Sequence, residues 1–402
     1  MKVIKKCLKI NSPNYLRLLE ILTQNGGYAR VVGGAVRNCL LSIPANDIDI
    51  ATNLLPTQVI DILYKEGIKI IPTGIDHGTV SALFTDEIIQ ITTLRKDIKC
   101  FGRKAEVTFT DSFYEDATRR DFTINALSYC VFKEEIYDYF DGISDLNTKI
   151  VKFIGNAEER INEDYLRILR FFRFSHRFAK KLDQAALDAC IKLKEKLLSL
   201  SHERIKSEMD LILSAQGNED ILQKIYETGI LNIIYPGSNY TFSLQQNLLT
   251  AVKFYQCSDH LTRLASYSLI FSSVKMLNIK FLLNLRFSKS EATTIISFIN
   301  FCTNIQNELH TRLNLVYAGL EDYCIFFALA EITTGQIDLI RKQFTQLQLS
   351  AKPVFPINGN DLKAKNINIK NIGTILTDLK TKWAASNFTL NKEDLITLLN
   401  KL

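Results

Sequence analysis

Short apolar runs separated by glycine-containing turns fill the first part of the chain: Tyr28–Gly33, Asp47–Thr52, Ile68–Pro72, Thr79–Phe84 and Ile88–Leu94. Runs of this length between turn signals predict β-strands. Asn14–Gln24 and Pro56–Glu66 instead carry helical patterning. Pro56 suits a first helical turn, where its missing N–H would have had no intrahelical partner. Asp86–Glu87 marks a hairpin. Strands mixed with helices predict a head built on a mixed sheet.

Beyond residue 155 the period changes. Glycine becomes scarce, and apolar residues recur at helical spacing through Ala157–Phe178, Asp183–Leu200 and Ile205–Leu213. The remainder also predicts helix, with breaks near Pro236–Gly237 and Pro353–Gly359. No fixed-period repeat or low-complexity segment interrupts it. The predicted class is α+β, a mixed-sheet head followed by an all-helical remainder.

Composition narrows this picture without changing it. At 402 residues, 47% hydrophobic and 23% charged, the chain has material for more than one domain. No apolar run reaches the ~18–20 residues that span a bilayer, so no membrane association is expected. Met1–Asn11 lacks the apolar stretch of a secretory signal, which makes a cytoplasmic protein the expectation. The net charge of +6 is compatible with nucleic acid without requiring it. The eight cysteines have no paired spacing, so they are expected to be reduced and mostly buried. Asp259–His260 is the one dipeptide suggesting a phosphohydrolase metal site, and the five scattered histidines argue against it.

Four clusters carry candidate chemistry. Gly33-Gly34-Ala35-Val36-Arg37 follows a predicted strand and precedes a helix, a place where backbone N–H groups and Arg37 can meet an anion. A plain tight turn is the simpler account of that cluster alone. Asp47-Ile48-Asp49 lies ten residues on, with both carboxylates on one face of a predicted strand. Such a pair suits Mg²⁺, and two ions ~3.5–4 Å apart can align an attacking hydroxyl with a leaving pyrophosphate. Arg119-Arg120-Asp121 leads into Phe122–Leu127, which includes Asn125. Paired guanidiniums suit phosphate, while Asp121 alone fits a helix N-cap. Glu163, Asp164, Arg167 and Arg170 share one face of a predicted continuous helix. A surface ion-pair ladder is the plain account. The sharper one pairs an acceptor with a donor, matching the amino group and ring nitrogen of cytosine and adenine but not of uracil or guanine.

Together these motifs resemble the class II tRNA nucleotidyltransferase and poly(A) polymerase family of polymerase-β-like nucleotidyltransferases. The resemblance runs through Val31–Asn38, Asp47–Thr52, Ile91–Arg95, Gly102-Arg103 to Arg119–Leu127, Asp138–Leu146 and Gly155–Arg173. It implies a catalytic head at 1–152, a base-recognising neck at 153–215, and a tRNA-binding body and tail at 216–402. It implies that Asp47 and Asp49 hold catalytic Mg²⁺ and that Gly33, Gly34 and Arg37 hold the triphosphate. Arg120, Asp121 and Asn125 would lie beside the nucleotide. Asp164 and Arg167 would read its base, with Glu163 orienting Arg167 and Arg170 following on the same face. Lys96–Glu115 resembles the family's mobile loop that helps switch from C to A addition; a plain surface loop is an equal alternative. The activity implied is untemplated addition of C, C and A to tRNA from CTP and ATP, with no obligate protein partner evident. A poly(A) polymerase or an enzyme adding only A is the alternative. A non-catalytic RNA-binding module is kept open by two departures: Asn38 stands where the family usually has Asp, and Gln90 where it usually has Glu.

Overall fold

Val80, Ile91, Ile50, Val31 and Tyr129 are buried and lie in one row across a seven-stranded sheet, each in register with the next. Alternation along a strand sends that row to one face and its neighbours to the other. The computed structural model describes residues 13–399 except 46–47, 72–73, 76–77, 86, 102–103, 306–308, 310, 312–313, 316–322, 350–352 and 364–368.

The strands of this sheet are β1 (Ala29–Val32), β2 (Asp49–Thr52), β3 (Lys69–Ile71), β4 (Thr79–Leu83), β5 (Ile88–Thr93), β8 (Ser128–Cys130) and β9 (Glu135–Tyr137). Their order is β3-β4-β5-β2-β1-β8-β9. Only the β2–β5 pair is parallel, so the sheet is mixed, as predicted. β4 and β5 pair antiparallel with Leu83 opposite Ile88, and the Phe84 N–H donates to the Glu87 carbonyl, while Asp86 of the expected hairpin lies outside the described residues. Strands β6 (Arg95–Phe101) and β7 (Lys104–Phe109) form a separate two-stranded ribbon where a loop was expected.

Helices α1 (Pro13–Gln24), α2 (Gly34–Leu40), α3 (Pro56–Lys65), α4 (Phe113–Thr118) and α5 (Gly142–Thr148) complete the head. Pro56 occupies the first turn of α3. The second sheet face carries Val32, Ala51 and Leu94, packed with Phe113 of α4 and with Tyr139. Three further helices follow, α6 (Ala157–Glu163), α7 (Arg167–Phe178) and α8 (Gln184–Leu193).

The chain divides into two compact units, Met1–Ser201 and His202–Leu402. The second is helical throughout its described residues, from His202–Leu213 to Lys392–Leu399. Its core stacks Tyr235, Tyr267, Phe271 and Phe287, and a further cluster gathers around Trp383 and Leu379. No described helix is long and apolar enough to cross a membrane. Of the described cysteines only Cys39 and Cys190 are fully buried, fewer than expected.

Candidate active site

The site is built where β1 ends. Gly33 adopts φ 72°, open to glycine but unfavourable for other residues. A Cβ there would sit 2.8 Å from Nη1 of Arg120. The Gly33 N–H donates to the Leu127 carbonyl at 2.8 Å. The missing side chain makes room for Arg120. Gly34 starts α2, which buries Arg37 one turn later.

A cavity of about 410 Å³ opens beside this turn. Every predicted nucleotide residue except Glu163 lines it, namely Gly33, Gly34, Arg37, Arg120, Asp121, Asn125, Asp164, Arg167 and Arg170, joined by Arg119 and Phe174. Five arginines thus converge with two carboxylates, from positions up to 133 residues apart (Arg37 to Arg170). Such a donor array suits a polyanion.

Each arginine is fixed by the protein. Asn38 Oδ1 accepts from Arg37 Nη2 at 2.8 Å and Nε at 3.2 Å, and Asn125 Oδ1 accepts from Nη1. Burial lowers the Arg37 guanidinium from its ordinary value to about 10; Arg177, Arg173 and Arg170 push the same way, against Asp121. Asn125 in turn donates to Asp121 Oδ1 at 3.0 Å, and Arg170 donates to Oδ2 from Nε and Nη2 at 2.8 and 2.5 Å. Burial alone would raise the Asp121 carboxyl, but the charge of Arg170 and the hydrogen bonds from Asn125 and Arg170 hold it below its ordinary value. Asp121 is no N-cap, since Phe122 caps the turn Thr123–Asn125. That turn is pinned from behind by Asp145, which accepts from Thr123 Oγ1 at 2.7 Å.

The expected continuous helix from 157 to 178 breaks. Asp164 is extended, with φ −154° and ψ 106°, between α6 and α7. Glu163, Asp164, Arg167 and Arg170 therefore do not form one helical ladder. The break still brings Asp164 and Arg167 to the same cavity. Asp164 accepts from the Leu166 N–H at 3.1 Å. Arg167 is bound by Glu163 at 2.5 Å and donates to the carbonyls of Arg160 and Arg119, both at 2.9 Å, which fixes its plane. Glu163 holds this guanidinium without itself lining the cavity.

Asp49 opens β2, exposed and in register with Val32, the residue before Gly33. On its other side it pairs with Gln90 of β5, also exposed. Asp47 lies outside the described residues, as do Gly102 and Arg103. Among the described residues no group of three or more His, Cys, Asp or Glu gathers to hold a metal. The donor set of Asp49 and the Gln90 carboxamide is all oxygen, which fits a hard cation completed by substrate phosphates.

Sequence reasoning missed Asp116 and Phe174. Asp116 precedes Arg119 and Arg120 by three and four residues, a helical spacing that marks it as their partner. Phe174 follows Arg170 by four on α7 and closes the cavity wall.

A family model described as the poly(A) polymerase head domain matches residues 29–152. Another, described as a probable RNA and SrmB-binding site of polymerase A, matches 181–241. The mitochondrial CCA tRNA nucleotidyltransferase 1 of Mus musculus is 30% identical over 412 residues, covering 98% of this chain and 93% of the relative. The Homo sapiens counterpart is 31% identical with the same coverage. The crystal structure of the Bacillus stearothermophilus CCA-adding enzyme in complex with CTP superposes with a TM-score of 0.73 at 26% identity, over 100% of this chain and 98% of that one. The Thermotoga maritima CCA-adding enzyme complexed with tRNA shares the fold, with a TM-score of 0.68 at 21% identity.

Proposed function

The chain belongs to the family of CCA-adding tRNA nucleotidyltransferases, and from that premise we propose that it adds C, C and A to the 3′ end of tRNA from CTP and ATP. The observation that carries this reading is the meeting of five arginines, Asp164 and the Gly33 turn in one cavity, with Asp49 in register beside it.

In the reaction a 3′-hydroxyl oxygen bonds to the α-phosphorus, the bond to the β-phosphate oxygen breaks, and pyrophosphate leaves. Arg37 and Arg120, together with Arg119, bind the triphosphate and balance the charge that the leaving group gathers. Asp164 accepts the exocyclic amino group of cytosine or adenine while Arg167 donates to the adjacent ring nitrogen. Uracil and guanine present the reverse pattern and leave both protein groups unpaired, which gives the selection its strength. Asp49 and Asp47 would hold Mg²⁺, which when bound lowers the pKa of the attacking hydroxyl and neutralises phosphate charge. The head at 1–152, the neck at 153–215, a tRNA-holding body and tail at 216–402, and a cytoplasmic location belong to the same proposal. The mouse and human relatives are named as mitochondrial.

The test is primer extension on tRNA lacking its last three nucleotides, with Mg²⁺ and each triphosphate singly, then CTP with ATP. Two residues added with CTP alone and three with the pair is the expected result. Long extension with ATP alone on unrelated RNA would instead make it a poly(A) polymerase.

A further inference from the structure

Asp116 lies on α4, is 3% exposed, and does not itself line the cavity. Its carboxylate is shared between two arginines that do. Oδ1 accepts from Arg119 Nε at 2.9 Å and Nη2 at 2.7 Å, and Oδ2 accepts from Arg120 Nη2 at 3.1 Å. Oδ1 also faces the Arg95 N–H at 3.4 Å, at the foot of the β6–β7 ribbon. The next residue back, Glu115, ties the same ribbon through Lys96 at 3.4 Å and through Thr110.

From this geometry we infer that Asp116 is a positioning residue that sets both ends of the nucleotide cavity. The inference rests on the reading of that cavity as the nucleotide site. On the phosphate side, Asp116 holds Arg120 in the space left by Gly33. On the base side, the Arg119 side chain it clamps belongs to the residue whose carbonyl receives Arg167 Nη2 at 2.9 Å. Without a carboxylate between them, Arg119 and Arg120 would repel each other and the three other arginines of the cavity. One buried carboxylate thus orders the donors for the triphosphate and the donor for the base.

The test is Asp116→Asn in the full chain, read by steady-state kinetics with CTP, ATP and UTP on the truncated tRNA. The amide keeps the shape, removes a negative charge and leaves the cavity more cationic. Charge alone would then lower the nucleotide KM. Positioning predicts the opposite: KM for CTP and ATP rises about tenfold, the low end for losing hydrogen bonds to a charged group. The preference for CTP over UTP falls at the same time, and Asp116→Asn adds little on top of Arg119→Ala/Arg120→Ala, because it acts through those side chains. A lower melting temperature with unchanged KM and unchanged preference would reduce Asp116 to a fold-stabilising residue and overturn the inference. If Asp116→Asn does not fold, Asp116→Glu carries the same test, since it keeps the charge and displaces the oxygens by one methylene; unchanged KM and preference there overturn it as well. Absence of incorporation by the parent protein would instead remove the nucleotidyl-transfer reading, and with it the premise.

Discussion

The acceptors around Arg37 are the carboxamide oxygens of Asn38 and Asn125, so its hydrogen bonds are met while its charge is not neutralised by them. This is the arrangement of a cation kept for an anionic ligand, and it bears on stability. The folded-state pKa of Arg37, about 10, lies below the ordinary guanidinium value. The charged form is therefore disfavoured in the fold. That penalty is present throughout the pH range below about 10 and relaxes as pH rises through it, because the folded chain gives up the proton first. Asn38→Asp places a carboxylate against the same guanidinium, raises its pKa and removes part of the penalty. It should stabilise the free protein by about 1.5–3 kcal/mol, the range for hydrogen bonds to charged groups, read as a higher melting temperature at neutral pH. It should also weaken CTP binding, because the new carboxylate competes with the triphosphate; tighter CTP binding would show that Arg37 does not meet phosphate. Gln90 poses the complementary question at the metal face. It pairs in register with Asp49, so Gln90→Glu adds a second carboxylate beside the first. Without divalent cation the two repel, and the variant should melt below the parent in chelator, recover with Mg²⁺, and turn over faster. No gain in turnover would mean that the neutral amide is no handicap.

Elements differ in how openly the chain announces them. The row Val31, Ile50 and Ile91 was legible because each sits in an apolar run of strand length, and Pro56 announced its helix by chemistry. The break at Asp164 was not legible. Ile161 before it and Leu166, Ile168 and Leu169 after it are all buried, so the apolar period of α6 runs on into α7 and hides the extended backbone at Asp164. The β6–β7 ribbon was hidden for the opposite reason. Its strands pair only with each other, so the charged residues of Arg95–Lys99 need no alternating apolar face and read as loop. For the site, the residue types were legible and the partnerships between distant residues were not. Asp121 was read as a possible cap because its partner Arg170 lies 49 residues on, and Arg37 meets Asn125 across 88. Asp116 was the exception that was available, since its partners lie within one helical turn.

At the scale of the molecule, every residue of the cavity falls in the unit that ends at Ser201. The basic residues between Arg170 and Lys181 do not form one exposed strip. Arg170 turns into the cavity, and Arg173 stacks on Phe174 with its guanidinium carbon 4.3 Å from the ring centroid. Arg177, Lys180 and Lys181 remain exposed. A net charge of +6 spread over the chain favours RNA through many weak phosphate contacts rather than one strong patch. Two ligands of the same protein should then respond differently to salt. The tRNA affinity should fall by an order of magnitude or more between roughly 50 and 200 mM monovalent salt, as counterion release requires. CTP, which neutralises far fewer phosphates than a whole tRNA, should lose less. Lys180→Glu/Lys181→Glu then separates a working contact from a solvated face. If these lysines meet phosphate, the slope of log affinity against log salt becomes shallower for tRNA and stays the same for CTP. An unchanged tRNA slope would place the RNA path away from this strip and leave the helical unit beyond Ser201 to hold it.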